Sequence, residues 1–244
     1  MSDGVPACRS KEHGPRKAME TYEMRHDAFQ PAAPQESRIS PEPRWPAIVA
    51  VLAAGAVFAA LPSHLVVGPR WLGLSVVALL TIPYALLNRR GVVQVARVLG
   101  YVISAVLTLF LLASLFLLVR AMLRHQGSPG QMLASAGCLW AANILVFALW
   151  YWRLDAGGPH AREARGPHEM GAFLFPQMTM RGHPAANWRP EFIDYLFLAF
   201  NTSTAFSPTD TAILSRWGKA LIMLQSLMSL TIVALLAARA VNIL

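Results

Sequence analysis

The stretch VLGYVISAVLTLFLLASLFLLV, residues Val98–Val119, runs for 22 residues without a charged side chain. A helix of about 20 apolar residues is long enough to cross the roughly 30 Å hydrocarbon core of a bilayer. Similar apolar runs lie on both sides of it, at about Trp45–Leu61, Trp71–Leu87 and Met132–Trp152. No Asp or Glu occurs between Glu42 and Asp155, and only 14% of the 244 residues are charged, whereas soluble domains have about 25%. These features predict a polytopic α-helical membrane protein.

Polar segments divide the chain into four regions. Residues 1–44 are rich in Pro, Ser and Glu, so we expect a disordered polar tail without a cleavable signal peptide. Residues 45–152 hold the four apolar runs. Residues 153–190 form a polar loop that is too long for a tight connection, and we expect a partly structured lobe on the membrane surface. Residues 191–244 contain a short apolar helix and a last span at about Thr211–Asn242. The predicted fold is all-α, with about five spans plus a short re-entrant or interfacial helix.

Lys and Arg residues predict the orientation of the chain. With five crossings, all but four of the 21 lie on the same side as the N-terminus, the exceptions being Arg70, Arg120, Arg124 and Arg239. The positive-inside rule therefore predicts a cytoplasmic N-terminus and a cytoplasmic 153–190 loop. Arginines that meet anionic head groups account for the net charge of +8. No basic cluster interleaves with aromatic residues, so we expect the lipid bilayer as a partner and no nucleic acid.

A short apolar segment before the last span ends in a hydroxyl-rich stretch. PEFIDYLFLAF, residues 190–200, predicts a helix with Pro190 in its first turn and Glu191 and Asp194 near its N-terminus. About 15 apolar residues are too few to cross a bilayer, so the helix either lies in the interface or dips in and returns. Pro208 ends any helix, and Thr209 or Asp210 is the expected N-cap of the last span.

The hydroxyl-rich stretch NTSTAFSPTDT, residues 201–211, supports two interpretations. In the first it lines an ion path, because hydroxyls and carbonyls replace an ion's hydration shell and a carboxylate attracts cations. The candidate permeation residues are Thr202, Ser203, Thr204, Ser207, Thr209 and Asp210. One loop cannot enclose such a path, so this interpretation requires a homo-oligomer and monovalent cations as ligands. In the second interpretation the stretch is a helix-breaking connector whose hydroxyls cap helix ends.

The segment 192–244 resembles the pore helix, loop and inner helix of two-helix potassium channels. In that family an aromatic-rich W-x-D-A-L-Y-F pore helix leads into a Thr-rich filter and an Asp-containing turn. Asp194 and Tyr195 match the start of the pore helix, residues 202–204 match the Thr-rich approach, and Asp210 matches the acid after the filter. The chain departs from the family in lacking TVGYG and any glycine between Gly182 and Gly218.

Residues 45–244 also resemble a family of uncharacterised bacterial integral membrane proteins. The resemblance rests on the segment D-[FY]-L-[YF]-x-[AS]-F before the last span, and on LDAGGP, FLFPQ and SPTDT. It implies a multi-pass helical protein of the bacterial inner membrane and no established activity.

Other polar residues carry weaker predictions. Gln225 and Ser229 are one turn apart in the last span, where they line a polar path or, the interpretation we favour, form interhelical hydrogen bonds. The loop histidines and acids lack metal-ligand spacing, so we expect a solvated charged loop with no metal and no cofactor; these residues are Asp155, His160, Glu163, His168, Glu169 and His183. No catalytic motif is present, and we expect no enzyme activity and no catalytic residues.

Two functions follow from these observations. The leading hypothesis is an ion-channel-like pore protein that conducts cations through the 191–244 segment. The alternative is a non-conducting membrane scaffold or accessory subunit that docks partners on the 153–190 loop.

Overall fold

A computed structural model describes residues 42–124, 126, 128–165, 171–180, 188–208 and 210–241. Within these residues the chain forms seven α-helices, three 3-10 turns and one two-stranded antiparallel sheet. The helices are α1 Trp45–Ala60, α2 Arg70–Arg89, α3 Val93–Leu123, α4 Pro129–Leu154, α5 Pro159–Glu163, α6 Phe192–Ala205 and α7 Arg216–Val241, and the strands are β1 Phe173–Leu174 and β2 Ala212–Ile213. The predicted all-α class is confirmed. Residues 1–41, which make up most of the predicted disordered tail, lie outside the described residues.

Four of these helices, α2, α3, α4 and α7, are long and apolar enough to cross a membrane by length and composition. Helix α1 has 16 residues, about 24 Å at 1.5 Å per residue, which is shorter than the hydrocarbon core. The apolar helices are compatible with the integral membrane protein that the sequence predicts.

Helix α4 is the central helix of the bundle. Of an apolar 18-residue stretch of α4, 61% is buried inside the protein, and the corresponding fractions are 22% for α2, 33% for α3 and 28% for α7. Small residues on α4, including Ala136, Ala142 and Ala148, are almost fully buried. Such residues let neighbouring helices approach closely, and α4 contacts α1, α3, α6 and α7.

Hydrogen bonds between helices place four helix ends together. Arg44, just before α1, donates from Nη1 to Asn88 Oδ1 near the end of α2 at 2.5 Å. Arg153, near the end of α4, donates to the carbonyl of Gly100 and to Ser104 Oγ in the first third of α3. Helices α1 to α4 therefore alternate in direction, and we call this end of the bundle the polar end.

The start of the last helix differs from the prediction. Helix α7 begins at Arg216 rather than at Thr211, because residues 212–213 form β2 and pair with β1. The backbone N–H of Leu214 also donates to the carbonyl of Ala172 at 2.8 Å. Ser215 Oγ accepts the N–H of Gly218 at 3.0 Å and acts as the helix cap. The prediction of Asp210 as N-cap was wrong, and Thr209 lies outside the described residues.

We predict that Gly218→Ala destabilises the fold. A Cβ at this position would lie 2.7 Å from Ser215 Oγ and 3.1 Å from Ile213 Cγ2, so the cap or β2 must shift at a cost of about 1–3 kcal/mol. Thermal unfolding in detergent measures the effect. Gly137→Ala in α4 is the matched control, because no atom lies within 4 Å of its added Cβ. An unchanged melting temperature for Gly218→Ala would contradict this packing.

Candidate functional site at the re-entrant segment and polar cap

Helix α6 enters the bundle from the polar end and the chain returns to that end. The ring of Phe192 lies 5.9 Å from that of Trp152 near the end of α4, and Phe200 lies 6.0 Å from Trp140 further along α4. After α6 the chain runs back to β2, which pairs with β1, and β1 contacts Trp217 at the start of α7. Residues 192–213 thus run into the bundle beside α4 and return to the polar end, and we call them the re-entrant segment for this course within the protein.

Both ends of α6 have specific local causes. Glu191 is the N-cap of a capping box in which Asp194 Oδ2 accepts the N–H of Glu191 at 2.7 Å. Pro190 therefore precedes the cap instead of lying in the first turn. Burial raises the pKa of Asp194, although the N–H of Glu191 opposes the shift. At the other end Phe206 adopts a left-handed conformation with φ 54°, which stops the helix.

Gln225 lies at the centre of a buried hydrogen-bond network between α4, α6 and α7. Its Nε2 donates to the carbonyl of Ala199 at 2.8 Å and to Ser203 Oγ at 2.9 Å. Its Oε1 accepts Tyr151 OH at 2.5 Å, and Ser229 Oγ donates to the carbonyl of Ser203 at 2.7 Å. All four polar side chains are fully buried. The structure thus brings together three predicted site residues, Ser203, Gln225 and Ser229, and the bonds are the interhelical type favoured for Gln225 and Ser229.

The remaining candidate permeation residues do not join this network. Thr202 is fully buried, and its Oγ1 donates to the carbonyl of Leu198 at 2.8 Å within α6. Thr204 is exposed and donates to the carbonyl of Phe200 at 3.0 Å. Ser207 and Asp210 are exposed, and Thr209 lies outside the described residues.

Asn143 completes the network and was not predicted from the sequence. Its Nδ2 lies 3.4 Å from Ser203 Oγ and 3.5 Å from the carbonyl of Gln225, and its Oδ1 has no partner among the described residues. An amide inside an apolar span is rare and was the signal that could have identified it.

The connection after α4 folds into a structured cap over the polar end. We use the name polar cap for residues 42–44, 155–165, 171–180 and 188–191. Asp155 is only 1% exposed. Its Oδ1 accepts the N–H of Ala172 at 2.5 Å and its Oδ2 accepts Tyr195 OH at 2.6 Å. The prediction of a solvated loop was wrong for Asp155, and Tyr195, predicted at the start of a pore helix, anchors the cap.

A buried ion pair holds a second part of the polar cap. Arg162, 8% exposed, donates to Glu42 Oε2 at 3.0 Å and to the carbonyl of Trp152 at 2.7 Å. Its guanidinium also lies 5.1 Å from the ring centre of Tyr195. Burial raises the pKa of Glu42, and the charge of Arg162 works in the opposite direction. Removing one partner would leave a buried charge uncompensated.

A third contact joins the start of α1 to α5. Arg44 Nη2 donates to Glu163 Oε2 at 2.8 Å, and the ring of His160 lies beside both side chains. Burial, followed by the charge of Arg44, lowers the pKa of His160, which favours the neutral imidazole at neutral pH. Among the described residues, no group of three or more His, Cys, Asp or Glu side chains is arranged to hold a metal ion. His168, Glu169 and His183 lie outside them.

Comparison with protein-family models, curated proteins and solved structures finds no match to this chain. The functional argument therefore starts from the geometry of the re-entrant segment and the polar cap.

We predict that Asp155→Ala loosens the polar cap. The substitution removes the acceptor of two hydrogen bonds, each of which contributes about 1.5–3 kcal/mol when the acceptor is charged. We therefore expect the open state of the cap to be populated about tenfold more or higher. Trypsin should then cut faster after Arg162, which is buried in the intact cap, and mass spectrometry of the fragments measures the rate. Asp210→Ala, at an exposed position, is the control. Equal cleavage rates in the two variants would contradict the anchoring role of Asp155.

Proposed function

We propose that this chain is a non-conducting, multi-pass integral membrane protein that serves as a scaffold or accessory subunit, with the polar cap as its docking surface. One observation carries the proposal: the buried polar groups of the re-entrant segment are used in packing within a single chain. An ion path needs oxygen atoms that face a wet passage. Thr202, Ser203 and Gln225 are instead fully buried and hydrogen-bonded to protein groups.

The polar cap supports the docking half of the proposal. Asp155 ties it to Tyr195 on α6, Arg162 to the carbonyl of Trp152 on α4, and Arg44 to Asn88 on α2. A surface that is already ordered loses little conformational entropy when a partner binds. With α1 as the first of five spans, the Lys and Arg distribution predicts that this end faces the cytoplasm.

A cation-conducting pore is the second candidate. The observation that favours it is the exposure of Thr204 in the last turn of the re-entrant helix and of Ser207 and Asp210 after it. These groups lie on the surface of one chain, so a path through them requires several copies around an axis. The resemblance to two-helix potassium channels stays a prediction.

Ion flux separates the two candidates. We expect purified full-length protein in liposomes to give no K⁺ or Na⁺ flux above protein-free liposomes, and Asp210→Asn to give the same result. Addition of valinomycin at the end of each trace shows that the K⁺ gradient was intact, and a thermal scan shows that the protein was folded. Flux in the wild type would overturn the non-conducting proposal, and a lower flux in Asp210→Asn would assign it to the re-entrant segment.

Site-specific photocrosslinking in intact membranes tests docking. A benzoylphenylalanine at Ala164, exposed on the polar cap, should give a protein adduct of discrete mass. The same residue at Leu109, 66% exposed on α3, is the matched control and should give lipid adducts only. Absence of a protein adduct at position 164, with normal expression of the variant, would refute the docking role of the cap.

A further inference from the structure

A cavity lies at the polar end between α2, α3, the end of α4 and the turn before α5. It contains about 360 Å³ of space free of protein atoms, part of it open to the outside. Its polar lining consists of Asn88, Arg97, Arg153 and His160, with the rings of Tyr84 and Tyr101 beside them. No Asp or Glu contributes to this lining, so the cavity is positively charged.

Arg153 in this cavity is a buried cation without a carboxylate. The side chain is only 5% exposed. Its Nη1 donates to the carbonyl of Gly100 and to Ser104 Oγ, and its Nε has no hydrogen-bond partner among the described residues. None of the ion pairs between described residues includes Arg153. A buried charge is costly unless an opposite charge compensates it.

The acids near Arg153 are already bound to other groups. Asp155, two residues away, accepts the N–H of Ala172 and the hydroxyl of Tyr195. Glu42 pairs with Arg162, and Glu163 pairs with Arg44. None of these three acids is therefore left to compensate Arg153.

Arg97 adds a second cation to the same cavity. Its side chain is half-buried and forms no hydrogen bond or ion pair with another described residue. Asn88 Oδ1 and His160 Nε2, which also line the cavity, lie 2.9 Å apart. The absence of a side chain at Gly100 lets the guanidinium of Arg153 pack against α3, because a Cβ there would lie 3.3 Å from Nε.

We propose that this cavity binds a phosphate group, carried either by an anionic lipid or by a soluble phosphate compound. Guanidinium groups bind phosphate oxygens through two parallel hydrogen bonds, and two arginines match the several acceptors of a phosphate. The depth of the cavity fits a lipid head group, since Tyr101 stacks on Trp150 with ring centres 6.4 Å apart and such rings settle at head-group level. The predicted orientation places the cavity in the cytoplasmic leaflet, where anionic lipids are found.

Lipid retention tests the first source. Full-length protein in uncharged detergent is incubated with an equal mixture of phosphatidylglycerol and phosphatidylcholine, and native mass spectrometry counts the lipids that stay bound. We expect the wild type to retain phosphatidylglycerol and Arg97→Gln to bind it about tenfold more weakly, the effect of losing one charge-assisted hydrogen bond. Arg90→Gln is the matched control, because Arg90 is exposed at the same end of α2 and lies outside the cavity lining.

Titration with soluble phosphate tests the second source. Inorganic phosphate and glycerol 3-phosphate are added to the delipidated protein, with chloride at equal ionic strength as reference, and the melting temperature is recorded. Stabilisation of the wild type and of Arg90→Gln but not of Arg97→Gln, without selective lipid retention, assigns the cavity to a soluble phosphate. Arg153→Lys, which keeps the charge but loses the planar donors, should weaken binding in whichever assay responds. If Arg97→Gln and Arg90→Gln behave alike in both assays, the proposal is overturned, whether or not Arg153→Lys folds.

Discussion

The carboxylate of Asp155 connects the central helix to everything that follows it in the chain. It lies directly after α4, and its two oxygens bind the backbone before β1 and the hydroxyl of Tyr195 on α6. Because β1 pairs with β2, the same contact also determines where α7 begins. The course of the re-entrant segment therefore depends on a single buried acid at the end of the most buried helix.

The buried polar groups at the re-entrant segment join three helices, α4, α6 and α7, through hydrogen bonds. Inside a membrane a polar group must be satisfied by other protein groups, since no water is available there. Gln225 meets this requirement by bonding to α4 and α6 at the same time, which joins three helices at one point. Of the hydroxyls that make the segment resemble an ion pathway, Ser203 is the one that this packing uses.

Charges at the polar end are distributed unevenly. The acids Glu42, Asp155 and Glu163 accept hydrogen bonds from Arg162, Tyr195 and Arg44, whereas Arg97 and Arg153 have no carboxylate partner among the described residues. The acids thus hold the cap to the bundle, and the remaining positive charge faces a cavity. The proposed docking surface and the proposed phosphate site therefore lie at the same end of the bundle, where His160 belongs to both.

Much of the helical framework was predictable because its causes are local. The lengths of the apolar runs predicted the four long helices, and Glu191, Asp194 and Pro208 predicted the bounds of α6 to within a few residues. The burial of Asp155, the pairing of Ser203 with Gln225 and the late start of α7 were not predictable in this way. These features depend on distant partners, which are 17 residues apart for Asp155 and Ala172 and 22 residues apart for Ser203 and Gln225. Apolar periodicity and capping residues carry no information about such distant contacts. The sequence by itself therefore determined which segments are helical. The tertiary structure decided which polar groups are buried, which are paired and which face the cavity.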